Sequence, residues 1–483
     1  MRDGFLLLVA FAGGAVIMGL EFSASRVLAP FFGYSIYVWG ALLGVIMGAL
    51  ALGYFLGGWL IDRSPREDVL FKVILAAFLL TVAIPVYDKK LILLVEDTGT
   101  VYGSMLATTI LFSFPMTLLA MISPMIIRLK TKAVSELGVS SGVIYAVSTI
   151  GSIFGTFATA FYLIPTYGTK TTILIASTVL LAVSLAGLAR RKYVPLAAFI
   201  LVVLLIPQQS SPNVIYQTES EYSLIKVLDE GDVMRLAVNQ DRWSQTVAKK
   251  DSILTGGYID YFNLGPVLAD VGEVLIIGVA GGGSVRQLRH FYPGVAIDAV
   301  EIDPTMIEVA EAYFNLSIGE GVRVIVEDGR TYLRKTERKY DFIEVDVFSG
   351  GPNIPYYLAT REFFESAYGH MTDDGVLMMN VLSIGAYLQL ADVVSKTVAS
   401  VFPSVYVVDR GVNQIIVAYK KKTPVEEYLR PLRGVSGELA PVANHTLYHT
   451  RLPRGPDMVL TDDHAPIEGM IHEMLEIPSW EEG

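Results

Sequence analysis

The sequence predicts a multi-pass α-helical membrane domain followed by a Rossmann-like α/β domain, with a small antiparallel β-sheet between them. Three observations carry this. The 483 residues are 52% hydrophobic, and a mean hydropathy of +0.49 is too high for an ordinary soluble chain. The long apolar runs are crowded into the first 206 residues, and most approach or exceed the roughly 20 residues that a 30 Å hydrocarbon core requires. Beyond them, short β-branched runs alternate with helical segments, the pattern of a doubly wound, largely parallel sheet.

Seven apolar stretches follow one another: Phe5–Leu20, Tyr37–Ile61, Val69–Tyr87, Val101–Ile122, Gly142–Ile164, Thr171–Ala189 and Tyr193–Ile206. The first is no cleaved signal peptide, since it lacks a cationic start and runs on into further spans. Gly44-x-x-x-Gly48 and Gly53-x-x-x-Gly57 place small residues where helix backbones approach closely. Basic residues gather after the second, fourth and sixth stretches: Arg63 and Arg66, then Arg128, Lys130 and Lys132, then Arg190, Arg191 and Lys192. The opposite loops hold Arg26, Lys89, Lys90 and Lys170. That bias puts the richer loops, and the N-terminus, in the cytoplasm. Tyr193–Ile206 would measure only about 21 Å as a helix. It is expected to be re-entrant or interfacial, giving six spans at the cell membrane and a cytoplasmic soluble domain. Glu21 and Arg26, near the end of the first span, fit either an interfacial ion pair or a polar site opening toward the bilayer.

Charge is divided unevenly. Up to Ile206 there are 14 Lys and Arg against 9 Asp and Glu; beyond it, 23 against 39. An acidic soluble half repels nucleic acid and suits a cationic or amine ligand, although acidity also serves plain solubility. The chain has no cysteine, which excludes disulfides, thiolate metal sites and thiol nucleophiles. No metal-ligand spacing is present, and no permanently bound cofactor is expected.

Expected boundaries are 1–206 for the transmembrane domain with six to seven helices, 207–213 for a linker, and 214–257 for the small sheet. A Rossmann-like nucleoside-binding transferase domain follows over 258–435, then a C-terminal segment, 436–483. Val214–Glu219, Tyr222–Leu228, Val233–Asn239 and Thr246–Lys249 read as the antiparallel strands, with turns at Asp229–Asp232 and Gln240-Asp241. Strands then fall at Val274–Gly278, Ala296–Glu301, Val322–Val326, Phe342–Asp346, Val376–Asn380 and Val405–Asp409, with helices at Ser284–Phe291 and Pro304–Phe314.

In such sheets ligands bind beyond the carboxyl ends of the strands. The first of these strands ends in Gly278-Val-Ala-Gly281-Gly282-Gly283, where glycines let the backbone pass close to a nucleotide. The next ends in Glu301, placed for both ribose hydroxyls. Asp328-Gly329 follows the third, where an acid can accept from an adenine amino group, and Asp346 closes the fourth. The first two ends fit a dinucleotide fold or a methyltransferase-type fold; Asp328-Gly329 favours the latter.

With these residues in place, the sequence resembles the polyamine aminopropyltransferases, the spermidine synthase family, from about Glu219 to Val381. The motifs are Ser220-Glu-Tyr222, Leu275-Ile-Ile-Gly278, Glu301-Ile-Asp303, Glu327-Asp328-Gly329 and Tyr340-Asp341 through Asp346. With Asp346-Val-Phe-Ser-Gly-Gly-Pro352 and Leu460-Thr-Asp-Asp-His-Ala-Pro466, the layout looks most like membrane-fused spermidine synthase-like proteins. The resemblance implies a class I methyltransferase-type fold and S-adenosylmethionine or its decarboxylated form as co-substrate. It implies that Glu301 binds ribose, Asp328 the adenine side, and Asp346 the proton of the attacking amine. Tyr258-Ile259-Asp260 falls on a Tyr-His-Glu motif lining the amine tunnel, so phenol and acid are kept and the imidazole is not. Gln245 corresponds approximately to a glutamine of the small sheet. Two family carboxylates are replaced: the turn acid by Gly281, and a second loop acid by Ser349 at the acceptor side. A buried ammonium without paired acids is strongly disfavoured, which argues against putrescine as acceptor. Gly281 also leaves room for a donor carboxylate.

Three functions then stand beside one another. The first is transfer of an aminopropyl or similar alkyl group to an amine. The second is S-adenosylmethionine-dependent transfer, methyl transfer included, to a lipid-like acceptor. The third is a transporter whose soluble domain senses nucleoside. Asp462-Asp463-His464 suits an amine or metal, or equally a helix start before Ile467–Leu475. The expected partners are a small-molecule amine or lipid-like acceptor, the membrane, and a second copy in a homodimer.

Overall fold

The computed structural model describes residues 2–95, 98–131, 133–188, 213–239, 244–319, 321–348, 350, 353–382 and 389–475. Tyr193–Ile206, Pro207–Pro212, the Gln240-Asp241 turn and Ser349 lie outside the described residues. The chain falls into two compact units, one of them built on the N-terminal helices and taking in Thr218–Glu221, the other holding the large sheet and most of the small one.

Five helical runs among the described residues are long and apolar enough to cross a membrane. They begin with α1 (Arg2–Phe32), α2 (Ile36–Arg63) and α3 (Glu67–Ile92). Ser35 starts α2, its hydroxyl accepting from the Val38 N–H at 3.3 Å. The fourth run joins α4 (Thr100–Thr108), a wide π turn at Thr109–Ser113, α5 (Phe114–Ala120) and α6 (Ile122–Lys130). The fifth joins α7 (Leu137–Ala158), a second π turn at Thr159–Leu163 and α8 (Ile164–Leu188). Both π turns are closed by an X-Pro step, Phe114-Pro115 and Ile164-Pro165. Proline lacks the N–H and crowds the carbonyl four residues back, and the wider turn accommodates that. The fifth run contains two of the expected stretches. They are divided at Gly168, whose φ of 77° and ψ of 166° are non-helical.

Two expectations are corrected in this unit. Helix α1 continues to Phe32, so Glu21 and Arg26 lie within it, and Arg26 donates to the Tyr34 hydroxyl at 3.2 Å. Only one of the two glycine pairs packs. A Cβ on Gly53 would stand 2.3 Å from the Thr117 carbonyl oxygen, and one on Gly57 2.7 Å from Met121 Cα. Gly44 and Gly48 face open space, with nothing within 4 Å. The closest seam is elsewhere, between α1 and α7, where a Cβ on Gly151 or Gly155 would meet backbone oxygen of Phe11 or Ala15 at 2.1 and 2.2 Å.

In the second unit, β1 (Val214–Glu219), β2 (Leu224–Asp229), β3 (Val233–Val238) and β4 (Ser244–Lys249) form the small sheet in chain order. Its apolar face (Ile225, Val227, Leu236, Val238 and Ala248) packs on Met306, Val309 and Phe314 of the α/β domain.

The large sheet holds β5 (Glu273–Ile277), β6 (Ala296–Glu301), β7 (Val322–Val326), β8 (Tyr340–Val345), β9 (Met371–Leu382), β10 (Ser404–Arg410), β11 (Asn413–Tyr419) and β12 (Thr450–Arg451). Their spatial order is β12-β10-β11-β9-β8-β5-β6-β7. Strands β7, β6, β5, β8 and β9 run parallel, while β11, β10 and β12 complete the sheet antiparallel. β11 and β12 were not expected. The chain order reverses between β5 and β8, so a crevice opens where those two strands end. Helices α9 (Gly283–Phe291), α10 (Pro304–Tyr313) and α11 (Gly329–Lys335) follow β5, β6 and β7. One face of the sheet is closed by Leu333, Phe363, Phe364, Val394 and Ile471, the other by Phe262, Val285, Leu288 and Ile307.

A buried acid sits inside the parallel region. Asp298 in β6 takes bonds from Arg323 (2.9 and 2.6 Å), Arg338 (3.0 Å), Tyr332 (3.0 Å) and Tyr340 (2.7 Å). Burial opposes its charge, but the bonds from Arg323, Tyr340 and Tyr332 outweigh it and hold the carboxyl below its ordinary value.

Candidate active site

The glycine turn after β5 is held by close approach as much as by flexibility. Gly278 has φ +93°, and a Cβ there would stand 2.1 Å from the Asp346 carbonyl oxygen. Ala280 is left-handed at φ +47°, a strained conformation for a residue with a side chain. Gly282, at φ +72°, precedes α9. A Cβ on Gly281 would meet Thr246 at 2.8–2.9 Å, and the Gly281 N–H donates to the Thr246 hydroxyl at 2.9 Å. Thr246 therefore ties β4 to the turn. Gln245, the expected contact, is the extra residue of a β-bulge: Leu236 pairs Thr246 while Ala237 pairs Ser244. Bulges of this kind often lie beside active sites.

Glu301 closes β6 and reaches back across the turn. One oxygen accepts from the N–H groups of Val279 (3.0 Å) and Ala280 (3.1 Å), the other from Asp303 (3.1 Å). Burial raises its carboxyl despite those three bonds. Asp328 caps α11, accepting from Thr331 N–H at 2.8 Å, and its second oxygen accepts from the Tyr357 hydroxyl at 2.9 Å. Gly329 lets that helix start against β5, since a Cβ would stand 2.2 Å from Ile277 Cγ2.

Asp346 lies across the crevice from the turn. Its Oδ2 accepts from the Tyr258 hydroxyl at 2.9 Å and its Oδ1 from Asn380 Nδ2 at 3.0 Å. Asn380 Oδ1 in turn accepts from Asn413 Nδ2 at 3.0 Å. Burial pushes the Asp346 carboxyl up to about 6, against the bonds from Asn380 and Tyr258. Burial, then the neighbouring charge of Asp346, pushes the Tyr258 phenol well up, so it stays a donor. Two residues before Asp346, Glu344 is buried in β8 and accepts from the Ser284 hydroxyl at 2.5 Å. Burial pushes this carboxyl well above its ordinary value, and the neighbouring charge of Asp346 adds to that against the bond from Ser284.

The structure thus brings Tyr258 and Asp346 together and sets Gly278, Gly281, Gly282, Glu301, Asp328 and Gly329 along the strand ends. Asp260 is placed otherwise. Its carboxylate is buried and accepts from Thr255 N–H (2.9 Å), Thr255 Oγ1 (3.0 Å), Gln287 Nε2 (2.7 Å) and Gly256 N–H (2.7 Å). With these four bonds, it supports the loop that carries Tyr258. Asp462-Asp463 forms a tight turn closed by Thr461 and His464 at 3.0 Å in both directions, not the cap of the Ile467–Leu475 helix. Asp462 pairs with Arg330 at 2.7 and 2.5 Å. No group of three or more His, Asp or Glu that could hold a metal occurs among the described residues. Asn380, Asn413, Glu344, Ser284, Thr246 and Tyr357 were missed from the sequence. Of these, Glu344 alone had a signal, as a charged residue inside a buried parallel strand.

A β-sheet of this order, with glycine and acids at its strand ends, defines a class I methyltransferase-type α/β domain. The family described as "Spermine/spermidine synthase domain" matches residues 266–413. A protein of Bifidobacterium longum named "Probable polyamine aminopropyl transferase" is 32% identical over 279 residues, 53% of this chain and 62% of that one. The chain thus spans less than two thirds of that relative. "Polyamine aminopropyltransferase 1" of Aquifex aeolicus is 31% identical over 201 residues, 40% of this chain and 69% of that one. The human "eEF1A lysine and N-terminal methyltransferase" is 31% identical over 156 residues, 30% of this chain and 22% of that one. Among solved structures, a spermidine synthase in complex with the transition state analogue AdoDATO aligns with TM-score 0.42 at 21% identity, covering 49% of this chain and 85% of that one. The chain belongs to the spermine/spermidine synthase family.

Proposed function

We propose that the chain is a membrane-bound transferase that moves an aminopropyl or similar alkyl group from S-adenosylmethionine, or its decarboxylated form, to an amine. The observation that carries this reading is Asp346, a half-buried residue whose carboxyl is pushed up to about 6, at the strand end facing the glycine turn. The amine lone pair attacks the carbon beside the donor sulfonium. The C–S electron pair returns to sulfur, which leaves as a neutral thioether, methylthioadenosine in the aminopropyl case. As the C–N bond forms, nitrogen becomes cationic and its proton acidic, and ionised Asp346 takes it. Tyr258 and Asn380 orient the carboxylate. Glu301 and Asp328 are assigned to ribose and adenine, so the protein chiefly aligns a donor that carries its own driving force. Asp260 supports this arrangement through the Tyr258 loop, and Ser349 remains assigned to the acceptor side.

The second reading, S-adenosylmethionine-dependent transfer to a lipid-like acceptor, is favoured as regards the donor by the relative named a methyltransferase. Mass spectrometry of the by-product, from purified full-length protein fed each donor in turn, decides. Methylthioadenosine from decarboxylated donor supports the first reading. Adenosylhomocysteine from S-adenosylmethionine replaces it with the second, and no turnover of either donor defeats both.

The catalytic domain is assigned to the cytoplasm, because its donor is made there and the basic loops agree if Tyr193–Ile206 does not span. The absence of cysteine makes this testable with a single label site. A Lys250→Cys variant should resist a membrane-impermeant maleimide in intact cells and react after lysis. Labelling in intact cells would reverse the assignment.

A further inference from the structure

We propose that the C-terminal turn Leu460–His464 is part of the donor site, holding Asp328 in position through Arg330 and Tyr357. This rests on the reading of Asp328 as the adenine-side acid.

Four observations make the circuit. First, the turn is fastened to the domain at several points. Arg361 N–H donates to Leu460 O at 2.8 Å, Leu460 N–H to Thr397 Oγ1 at 3.0 Å, and Asp462 N–H to Glu362 Oε2 at 3.0 Å. Second, this aims Asp462 at Arg330, which meets it fork to fork, while Thr360 Oγ1 donates to the same carboxylate at 2.7 Å. Planar two-bond pairs of this kind fix direction as well as distance. Third, Arg330 is 8% exposed and lies two residues after Asp328, and it also donates to Tyr357 O at 3.0 Å. Fourth, the Tyr357 hydroxyl returns to Asp328 Oδ2.

The geometry gives Asp328 a divided role. Its Oδ1 is engaged in capping α11, so Oδ2 is the oxygen left to face a ligand, and Tyr357 sets the plane in which it does so. Tyr357 is in turn positioned by Arg330, and Arg330 by Asp462, 132 residues further along the chain. Without Asp462 a buried guanidinium would lose its carboxylate and pull on the carbonyl of Tyr357 instead. Asp462 and Tyr357 are therefore positioning residues, acting on the donor through Asp328.

The test uses full-length protein in detergent, with calorimetry against S-adenosylmethionine and its decarboxylated form. Asp462→Asn and Tyr357→Phe should each weaken donor binding by roughly 5- to 20-fold, the scale of one or two hydrogen bonds. Because both act along one path, the double variant should bind no more weakly than about the worse single. Glu301→Ala, outside the circuit, should weaken binding on its own and multiply with either. Tyr357→Phe removes one hydroxyl and should leave the unfolding temperature close to wild type. Wild-type donor affinity in Asp462→Asn and Tyr357→Phe, beside a weakened Glu301→Ala, would overturn the proposal and leave the turn a staple for stability. Losses that multiply in the double variant would also overturn it. If wild type binds neither donor, the reading of the whole site falls, and this with it.

Discussion

Asp346→Asn is expected to lower turnover by about 10²–10⁴ while donor affinity stays near wild type. The new amide has the size of the carboxylate and can keep both neighbours. Its carbonyl oxygen can face Asn380 Nδ2, and its NH2 can donate to the Tyr258 oxygen, because a hydroxyl both gives and accepts. What it loses is the capacity to take a proton. The wild-type pH profile should carry the same signature. The reactive form is the ionised carboxylate, so with a carboxyl near 6 the rate should rise as pH increases through about 6 and level off above it. In Asp346→Asn that limb should vanish. A variant that keeps more than a tenth of wild-type turnover, with the limb intact, would remove Asp346 from proton transfer.

Gly278→Ala should be the most damaging single-methyl change in the second unit. Its Cβ would fall 2.1 Å from the carbonyl oxygen of Asp346 and 2.9 Å from its carbonyl carbon. Those are backbone atoms at the end of β8, which is bonded to β5 through Asp346 N–H and Ile277 O at 2.9 Å. Neither strand can yield without opening the parallel pair. The left-handed φ adds its own penalty for a side chain. Together these place the change among exceptional substitutions, about 4 kcal/mol or more. The second unit should therefore unfold at least about 8 °C lower. Differential scanning of the full-length chain measures this, and an unchanged transition with normal donor binding would refute the close approach at the crevice.

How far the sequence could be read depends on whether the signal is local. Gly278, Glu301, Asp328 and Asp346 were legible because each ends a β-branched run, and a parallel sheet places such ends along one edge. Tyr258 was reached through family resemblance alone, since nothing near it in sequence says that its hydroxyl meets Asp346, 88 residues away. Asn380 and Asn413 were hidden by the same distance problem. They meet because β9 and β11 pair antiparallel, with Asn380 opposite Ile415, and β11 itself was missed. The glycine pairs of α2 show the limit of pattern in the N-terminal unit. Gly53 and Gly57 face another helix and Gly44 and Gly48 do not, yet spacing is identical in both, and only the rotation of the helix separates them. Asp260 was read as a ligand group because an acid beside a tyrosine fits the motif; its four bonds show that an acid can serve a loop equally well.

The contact between Thr246 and Gly281 bears on whether an acid can be placed in the glycine turn by mutation. An acid introduced at position 281 would put its Cβ 2.8 Å from Thr246 Cγ2 and 2.9 Å from both Thr246 Cβ and Oγ1. Trimming Thr246 to alanine removes two of those three atoms and leaves the Cβ where it was. The Cβ contact that remains still crowds a side chain at 281, and the alanine intermediate gives up the hydroxyl that fixes the turn. Whichever of the two residues changes first, the intermediate loses something: an acid placed first meets Thr246, and an alanine placed first frees the turn. Thr246 thus works like a latch on position 281: one residue holds the turn by its hydroxyl and bars a side chain there.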